Sequence, residues 1–154
     1  MLYAKLLLPE KILMTAEEIQ KFLQRKFPEN PMAVESCENR HARLRLDVDH
    51  THLSPGGTVS RPTMMLLADT SIYAAILSTM WAVVLSVTTN LNINFLHKPE
   101  PHRSLFGESK LMKVGKRLIV GKVIIYSEDD QEPVAHTTCK YSIPPEQISS
   151  QDRC

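Results

Sequence analysis

The chain of 154 residues is short of several things, and each shortage argues against a class of function. It has three cysteines, Cys37, Cys139 and Cys154, an odd number without Cys-x-x-Cys spacing. A disulfide framework and a thiolate zinc site both need more than that. Aromatic residues make up 6%, too few for a platform on which single-stranded bases stack. An excess of one charge is missing as well, since 18 basic against 17 acidic residues leave a formal net charge of +1. Such a balance creates no field that gathers nucleic acid, so no nucleic-acid partner is expected. The apolar opening run Leu6-Leu7-Leu8 is broken by Lys5, Pro9, Glu10 and Lys11. No small-residue cleavage site follows before Glu17-Glu18, so the run does not read as a secretion signal, and a cytoplasmic location is expected.

What is present is an ordinary globular composition, 43% hydrophobic and 23% charged, at a length suited to one domain. The domain is expected over residues 1–145, with Pro144-Pro145 ending it and 146–154 as a polar tail. Thr15-Ala16-Glu17-Glu18 has the form of a capping box and opens a helix through about Phe27. Ile19, Phe22 and Leu23 share its apolar face. Pro28 and Pro31 stop it, and a short turn or strand follows at Met32–Val34. Ala42–Val48 alternates with period two and points Leu44 and Leu46 inward. His50 to Gly57 reads as a loop.

The most unusual stretch comes next. From Pro62 to His97 the only formal charge is Asp69. Pro62 suits the first helical position, with Ser60 or Arg61 as the cap. Apolar residues from Met64 to Leu77 cover nearly the whole circumference, and a helix of that kind is a buried one. Met64, Met65 and Met80 read as core. Downstream the period changes to two. A strand begins within Val83–Thr89, and Asn90–Phe95 sets Leu91, Ile93 and Phe95 on one side. Ser104–Val114, Arg117–Ser127 and Pro133–Ile143 are further strands, and their short connections favour antiparallel pairing. The fold class is therefore α+β: one long helix, an antiparallel sheet of about five strands, and an amphipathic helix over about 15–27. A helix apolar on every side needs more cover than one such sheet provides.

A membrane span is the competing reading of Met64–Val87, which is long enough. Against it stand Asp69, costing roughly 2.5–3.5 kcal/mol on insertion scales, five further hydroxyl residues and the absence of aromatic belts. Asp69 itself lies two turns into the helix, too deep to be an N-cap. Its helical neighbours Met65, Leu66, Ile72 and Tyr73 offer no cation. A carboxylate buried without a cation is costly and is kept where chemistry needs it, as a general base or a nucleophile.

The segments Gly56-Gly-Thr-Val-Ser-Arg-Pro-Thr-Met-Met-Leu-Leu-Ala-Asp69 and Thr88-Thr-Asn-Leu-Asn-Ile-Asn-Phe-Leu-His-Lys-Pro99 carry a resemblance. In order they give a Gly-rich entry, an Asp at a matching helix turn, and an alternating strand ending in a Pro turn. Lys113-Val-Gly-Lys-Arg-Leu118 before an apolar strand adds to it. Over roughly Leu44 to Pro144 the chain resembles the hotdog-fold acyl-CoA thioesterases of the phenylacetate-degradation (PaaI-like) type. The resemblance implies a long helix wrapped by an antiparallel sheet, and two subunits joining their sheets edge to edge, as a homodimer or a dimer of dimers.

It also implies roles. Asp69 is similar to the family's catalytic carboxylate, which activates water or attacks the thioester carbonyl. Ser60-Arg61-Pro62 stands where the family has His-Gly-Gly. Pro62 has no N–H, so the backbone N–H of Arg61 is left to hold the oxyanion, and Ser60 offers a hydroxyl to the substrate. Thr88 matches a hydroxyl residue that positions water from the partner subunit. Ser54 falls near a loop position where many members carry Asn, and Gly57 lies in the same loop. Lys98, Lys113, Lys116 and Arg117 are candidates for the phosphates of coenzyme A. His50 and His52 lack the support a metal needs. Neither a metal nor a separate cofactor is expected, coenzyme A being part of the substrate. Two other readings remain beside acyl-CoA hydrolysis: a non-catalytic acyl-CoA-binding module, favoured by the altered corner, and an enoyl-thioester hydratase or dehydratase.

Overall fold

A computed structural model describes residues 14–80 and 86–144. The readings of the Met1–Lys11 segment, of a strand start at 83–85 and of the tail Glu146–Cys154 lie outside the described residues.

Helix α1 (Ala16–Lys26) starts as its capping box requires: the Thr15 N–H donates to Glu18 Oε2 at 2.8 Å and the Glu18 N–H to Thr15 Oγ1 at 3.3 Å. Ile19, Phe22 and Leu23 bury its apolar face. Gln20 works as a clamp beside that face. Its Nε2 donates to the Met32 carbonyl at 3.3 Å, and its Oε1 accepts the Val34 N–H at 2.6 Å. The clamp ties α1 to strand β1 (Ala33–Glu38), which is longer than the Met32–Val34 segment expected and brings the sheet to six strands. Ala-Val-Glu-Ser-Cys-Glu has little alternation, because Glu35 sits at a bulge in the β1–β2 pairing.

Strand β2 (His41–Leu46) buries Leu44 and Leu46, and a short 3-10 turn at His50–His52 interrupts the loop that follows. Helix α2 (Arg61–Thr79) is capped by Ser60, whose Oγ accepts the Thr63 N–H at 3.3 Å; Pro62 stands at the second helical position. Strands β3 (Val87–Phe95), β4 (Leu105–Val114), β5 (Leu118–Ser127) and β6 (Pro133–Ser142) complete the sheet. The order is β1-β2-β4-β5-β6-β3, antiparallel throughout.

The core forms where α2 lies on the sheet, with Leu67, Ile72, Ile76 and Leu77 packed among Leu44, Leu105, Ile119 and Val123. Gly121 lets α2 approach closely: a Cβ there would stand 2.6 Å from Ile72 Cδ1. Two hydroxyls of α2 are absorbed by carbonyls one turn back, Ser71 on Leu67 at 2.6 Å and Thr79 on Ala75 at 2.8 Å. No helix among the described residues is long and apolar enough to cross a membrane. Burial all round holds for the middle of α2 but not for its first turns, where Met65 and Leu66 are exposed while Met64 is core.

The two sheet edges differ. On β1, Glu35 is bridged by Arg43 and Arg45, and charge at an edge deters further pairing. Strand β3, the other edge, carries no charge from Val87 to Phe95.

Candidate active site

Asp69 is half-buried, and two hydroxyls converge on one of its oxygens. Thr88 Oγ1 donates to Oδ1 at 2.7 Å. The Tyr141 hydroxyl donates to the same Oδ1 at 2.5 Å and lies 3.1 Å from the Asp69 main-chain carbonyl. Among the described residues nothing donates to Oδ2. Burial, and then the facing Asp69 carboxylate, hold the Tyr141 phenol well above the usual tyrosine range, so it stays a donor. The same two causes push the neighbouring Cys139 thiol up to about 12, which leaves it no nucleophilic thiolate near neutrality.

Thr88 reaches Asp69 because of an irregularity in β3. Strict alternation with Leu91 and Ile93 would turn residue 88 to the opposite face. The pairing with β6 slips at Thr89, so that Thr88 faces Tyr141 and Asn90 faces Lys140. The extra residue restores the phase, and Thr88 shares the inner face with Leu91 and Ile93. The hydroxyl on Asp69 therefore comes from its own chain, where the resemblance implied the partner's. Tyr141 was missed by sequence reasoning. Its signal was an inward position between Cys139 and Ile143, where a buried phenol needs an acceptor. A cavity of about 280 Å³ opens beside these groups, between α1, α2 and the start of β3.

Most of the remaining candidates gather elsewhere. Ser54, Arg61 and Lys98 line a second pocket of about 330 Å³ that also takes in Phe95. The Arg61 guanidinium lies over the Phe95 ring, 5.4 Å from its centroid. The Arg61 N–H meets no acceptor among the described residues. Ser60 caps the helix, its Oγ accepting the Thr63 N–H at 3.3 Å and lying 2.7 Å from Thr63 Oγ1. Gly57 turns the adjacent loop at φ 77°, a left-handed value that favours glycine. Arg61 and Asp69 are eight residues apart on one helix, about 12 Å along its axis.

The four cations do not form one cluster either. Lys113, Lys116 and Arg117 are exposed at the β4–β5 hairpin. Lys98 follows the far end of β3, at the opposite end of the sheet, since Val87 pairs with Ser142 and Phe95 with Ala135. At about 3.3 Å per residue that is roughly 27 Å away. His52 Nδ1 accepts the Asp49 N–H at 3.0 Å. Among the described residues no three side chains of metal-ligand type come together.

Comparison with known proteins places this architecture. The family model described as the thioesterase superfamily matches residues 56–134, from the Gly-rich entry to the start of β6. A candidate thioesterase from Silicibacter sp. is 39% identical, with a TM-score of 0.79 over 84% of this chain and 92% of its own. Two more distant structures share the fold. Thioesterase superfamily member 2 from zebra fish is 15% identical, with a TM-score of 0.77 over 85% of this chain and 99% of its own. The E. coli PaaI protein from the phenylacetic acid degradation operon is 19% identical, with a TM-score of 0.68 over 82% and 92%. No curated protein matches significantly in sequence. The chain belongs to the thioesterase superfamily, and it is a thioester hydrolase of the hotdog fold, PaaI-like in architecture.

Proposed function

We propose that the protein hydrolyses acyl-CoA (or acyl carrier protein) thioesters at a site that two subunits complete, with Asp69 as general base or nucleophile. The supporting observation is the separation along α2. A reacting carbonyl must lie about 3 Å from both its oxyanion donor and its attacking group. The Arg61 N–H and the Asp69 carboxylate of one chain stand about 12 Å apart along α2, so the two halves come from different protomers.

Strand β3 gives the means. The Asp69 cavity takes in Val87 and Thr88 at its start, and the Arg61 pocket takes in Phe95 at its end. Antiparallel pairing of this uncharged edge with a second copy would set the start of one β3 against the end of the other. Each Asp69 cavity would then adjoin the partner's α2 N-terminus. The same pairing would bring Lys98 of one protomer to the sheet end that carries Lys113, Lys116 and Arg117 of the other, a set of cations for coenzyme A phosphates.

In this arrangement the thioester oxygen takes the Arg61 N–H at the positive end of α2. Thr88 and Tyr141 hold Oδ1 of Asp69, leaving Oδ2 to act. Oδ2 either takes a proton from the attacking water or attacks the carbonyl carbon itself, forming an anhydride that water then opens. In both routes the C–S bond breaks, the thiol leaves, and water supplies the oxygen of the released acid. A cytoplasmic setting accords with Cys37 and Cys139 standing as free thiols. Thiol release from octanoyl-CoA tests the reading. Asp69→Asn is expected to lose turnover by about a hundred- to a thousandfold, taking the size of loss a deleted transition-state group causes. Full turnover in that variant overturns it.

A further inference from the structure

Exposed large apolar side chains are normal when scattered and informative when they converge. Phe27, Leu66 and Val87 are 47%, 45% and 58% exposed, and all three line the cavity beside Asp69. They come from the C-cap of α1, from α2 and from β3. Behind them Phe27 meets the Tyr73 ring edge-on, with centroids 6.1 Å apart. The Gln20 clamp fixes α1 to β1, so the wall that Phe27 extends is anchored.

The polar groups of the cavity are just as telling. Asp69, Thr88 and Tyr141 are bonded to one another on one side. Opposite them the Asn30 amide is engaged at both ends: its Nδ2 donates to Thr70 Oγ1 at 3.2 Å, and its Oδ1 accepts the Met32 N–H at 2.9 Å. Among the described residues that line it there is no lysine, arginine or histidine. A negative charge carried into this space would meet Asp69 and find no cation, a combination that disfavours its burial.

We infer that this cavity is the acyl-group pocket, that it takes an uncharged aliphatic acyl chain of short to medium length, and that Phe27 sets the upper limit. The inference rests on the thioesterase reading for its connection to chemistry. At about 280 Å³ the cavity lies at the lower bound of small-molecule clefts, roughly 300 Å³. A medium chain fits a space of that size more closely than a palmitoyl chain does. The N-terminal helix, through Phe27, is thereby a specificity element.

Binding of non-hydrolysable S-alkyl-CoA thioethers tests this apart from catalysis. Calorimetry would compare butyl, octyl, hexadecyl and 3-carboxypropyl thioethers on the wild type, Phe27→Ala and Phe27→Trp. The wild type is expected to bind octyl more tightly than butyl, to gain nothing from hexadecyl, and to bind carboxypropyl at least about tenfold more weakly than butyl. Phe27→Ala raises hexadecyl affinity relative to octyl by about tenfold, and Phe27→Trp lowers octyl affinity by a similar factor. Affinity indifferent to chain length, or Phe27 variants that shift every thioether equally, overturns the pocket. Thiol release from the matching thioesters separates the two claims. Chain-dependent binding without any hydrolysis refutes the thioesterase reading and leaves the pocket standing. Hydrolysis at a rate indifferent to chain length does the reverse.

Discussion

The Tyr141 hydroxyl donates to Asp69 Oδ1 across 72 residues of sequence, and Thr88 donates to the same oxygen. Two donors on one oxygen fix the plane of the carboxylate, so its other oxygen is presented in one direction. Tyr141→Phe keeps the ring and removes only the hydroxyl. It is expected to lower kcat by about 10–100-fold, the usual cost of losing an orienting partner, with KM little changed. Thr88→Val is expected to do the same. Because both act on one atom, the double variant should lose less than the product of the two single losses. Independent multiplication of the losses in a steady-state double-mutant cycle contradicts a shared role.

Alkaline pH should destabilise the protein before the ordinary tyrosine range is reached. Burial pushes the Cys37 thiol up to about 11, and burial with the Asp69 charge pushes Cys139 up to about 12. Burial also lifts Tyr73 to about 12. In the unfolded chain these thiols ionise near pH 9, while in the folded chain they hold their protons. The unfolded state then binds fewer protons, so stability is full below about pH 9 and falls as pH rises from there toward 11–12. One buried thiol contributes at most about 1.4 kcal/mol per pH unit. Urea melts from pH 8 to 11 would show the fall. Cys139→Ser should give a shallower slope over that range, whatever it does to the baseline.

How far the sequence carried these features depends on whether they are local. The capping box at Thr15, the inward pair Leu44 and Leu46, and the lone charge at Asp69 are local signals, and the fold follows them. Strand β1 was half visible, since its Ala-Val-Glu-Ser-Cys-Glu run forms through the Gln20 clamp and the Arg43 and Arg45 bridges to Glu35, all contacts from elsewhere. The resemblance gives Thr88 a role from the partner subunit, and its reach to Asp69 of its own chain is hidden in the sequence, because a one-residue bulge at Thr89 cannot be seen in an alternation that starts at Asn90. Tyr141 was read only as part of a strand, because its acceptor lies on α2. The four candidate cations look alike in sequence, and only the register of β3, β5 and β6 separates Lys98 from the others.

The uncharged edge of β3 should be the dimer seam. Asn90 and Asn92 are exposed on that strand. Asn90→Asp with Asn92→Asp adds charge to the edge, and in an isologous antiparallel pair each new charge faces the same charges on the partner. The expected product is a folded monomer by sedimentation, with thioester turnover reduced by more than about tenfold, since each chain keeps only half of each site. A variant that is monomeric and fully active shows that one chain suffices.

Whether Arg61 and Asp69 act from different protomers can be decided by mixing two dead variants. Arg61→Pro deletes the N–H together with the guanidinium that lies over Phe95. Proline is accepted at the first helical position, Ser60 before it already sits at φ −68° and ψ 148°, the values a residue preceding proline adopts, and no contact among the described residues uses that N–H. Arg61→Ala, which keeps the N–H, is the control and should stay active. Arg61→Pro and Asp69→Asn should each be inactive alone. When the two are unfolded together and refolded in equal amounts, half the dimers are mixed. In a mixed dimer one site joins both lesions. The other joins the intact Asp69 of the Arg61→Pro chain to the intact N–H of the Asp69→Asn chain. Activity per chain should return to about one quarter of wild type, the fraction that two-fold symmetry dictates. If both groups served one site within a single chain, every site would carry one lesion and mixing would restore nothing.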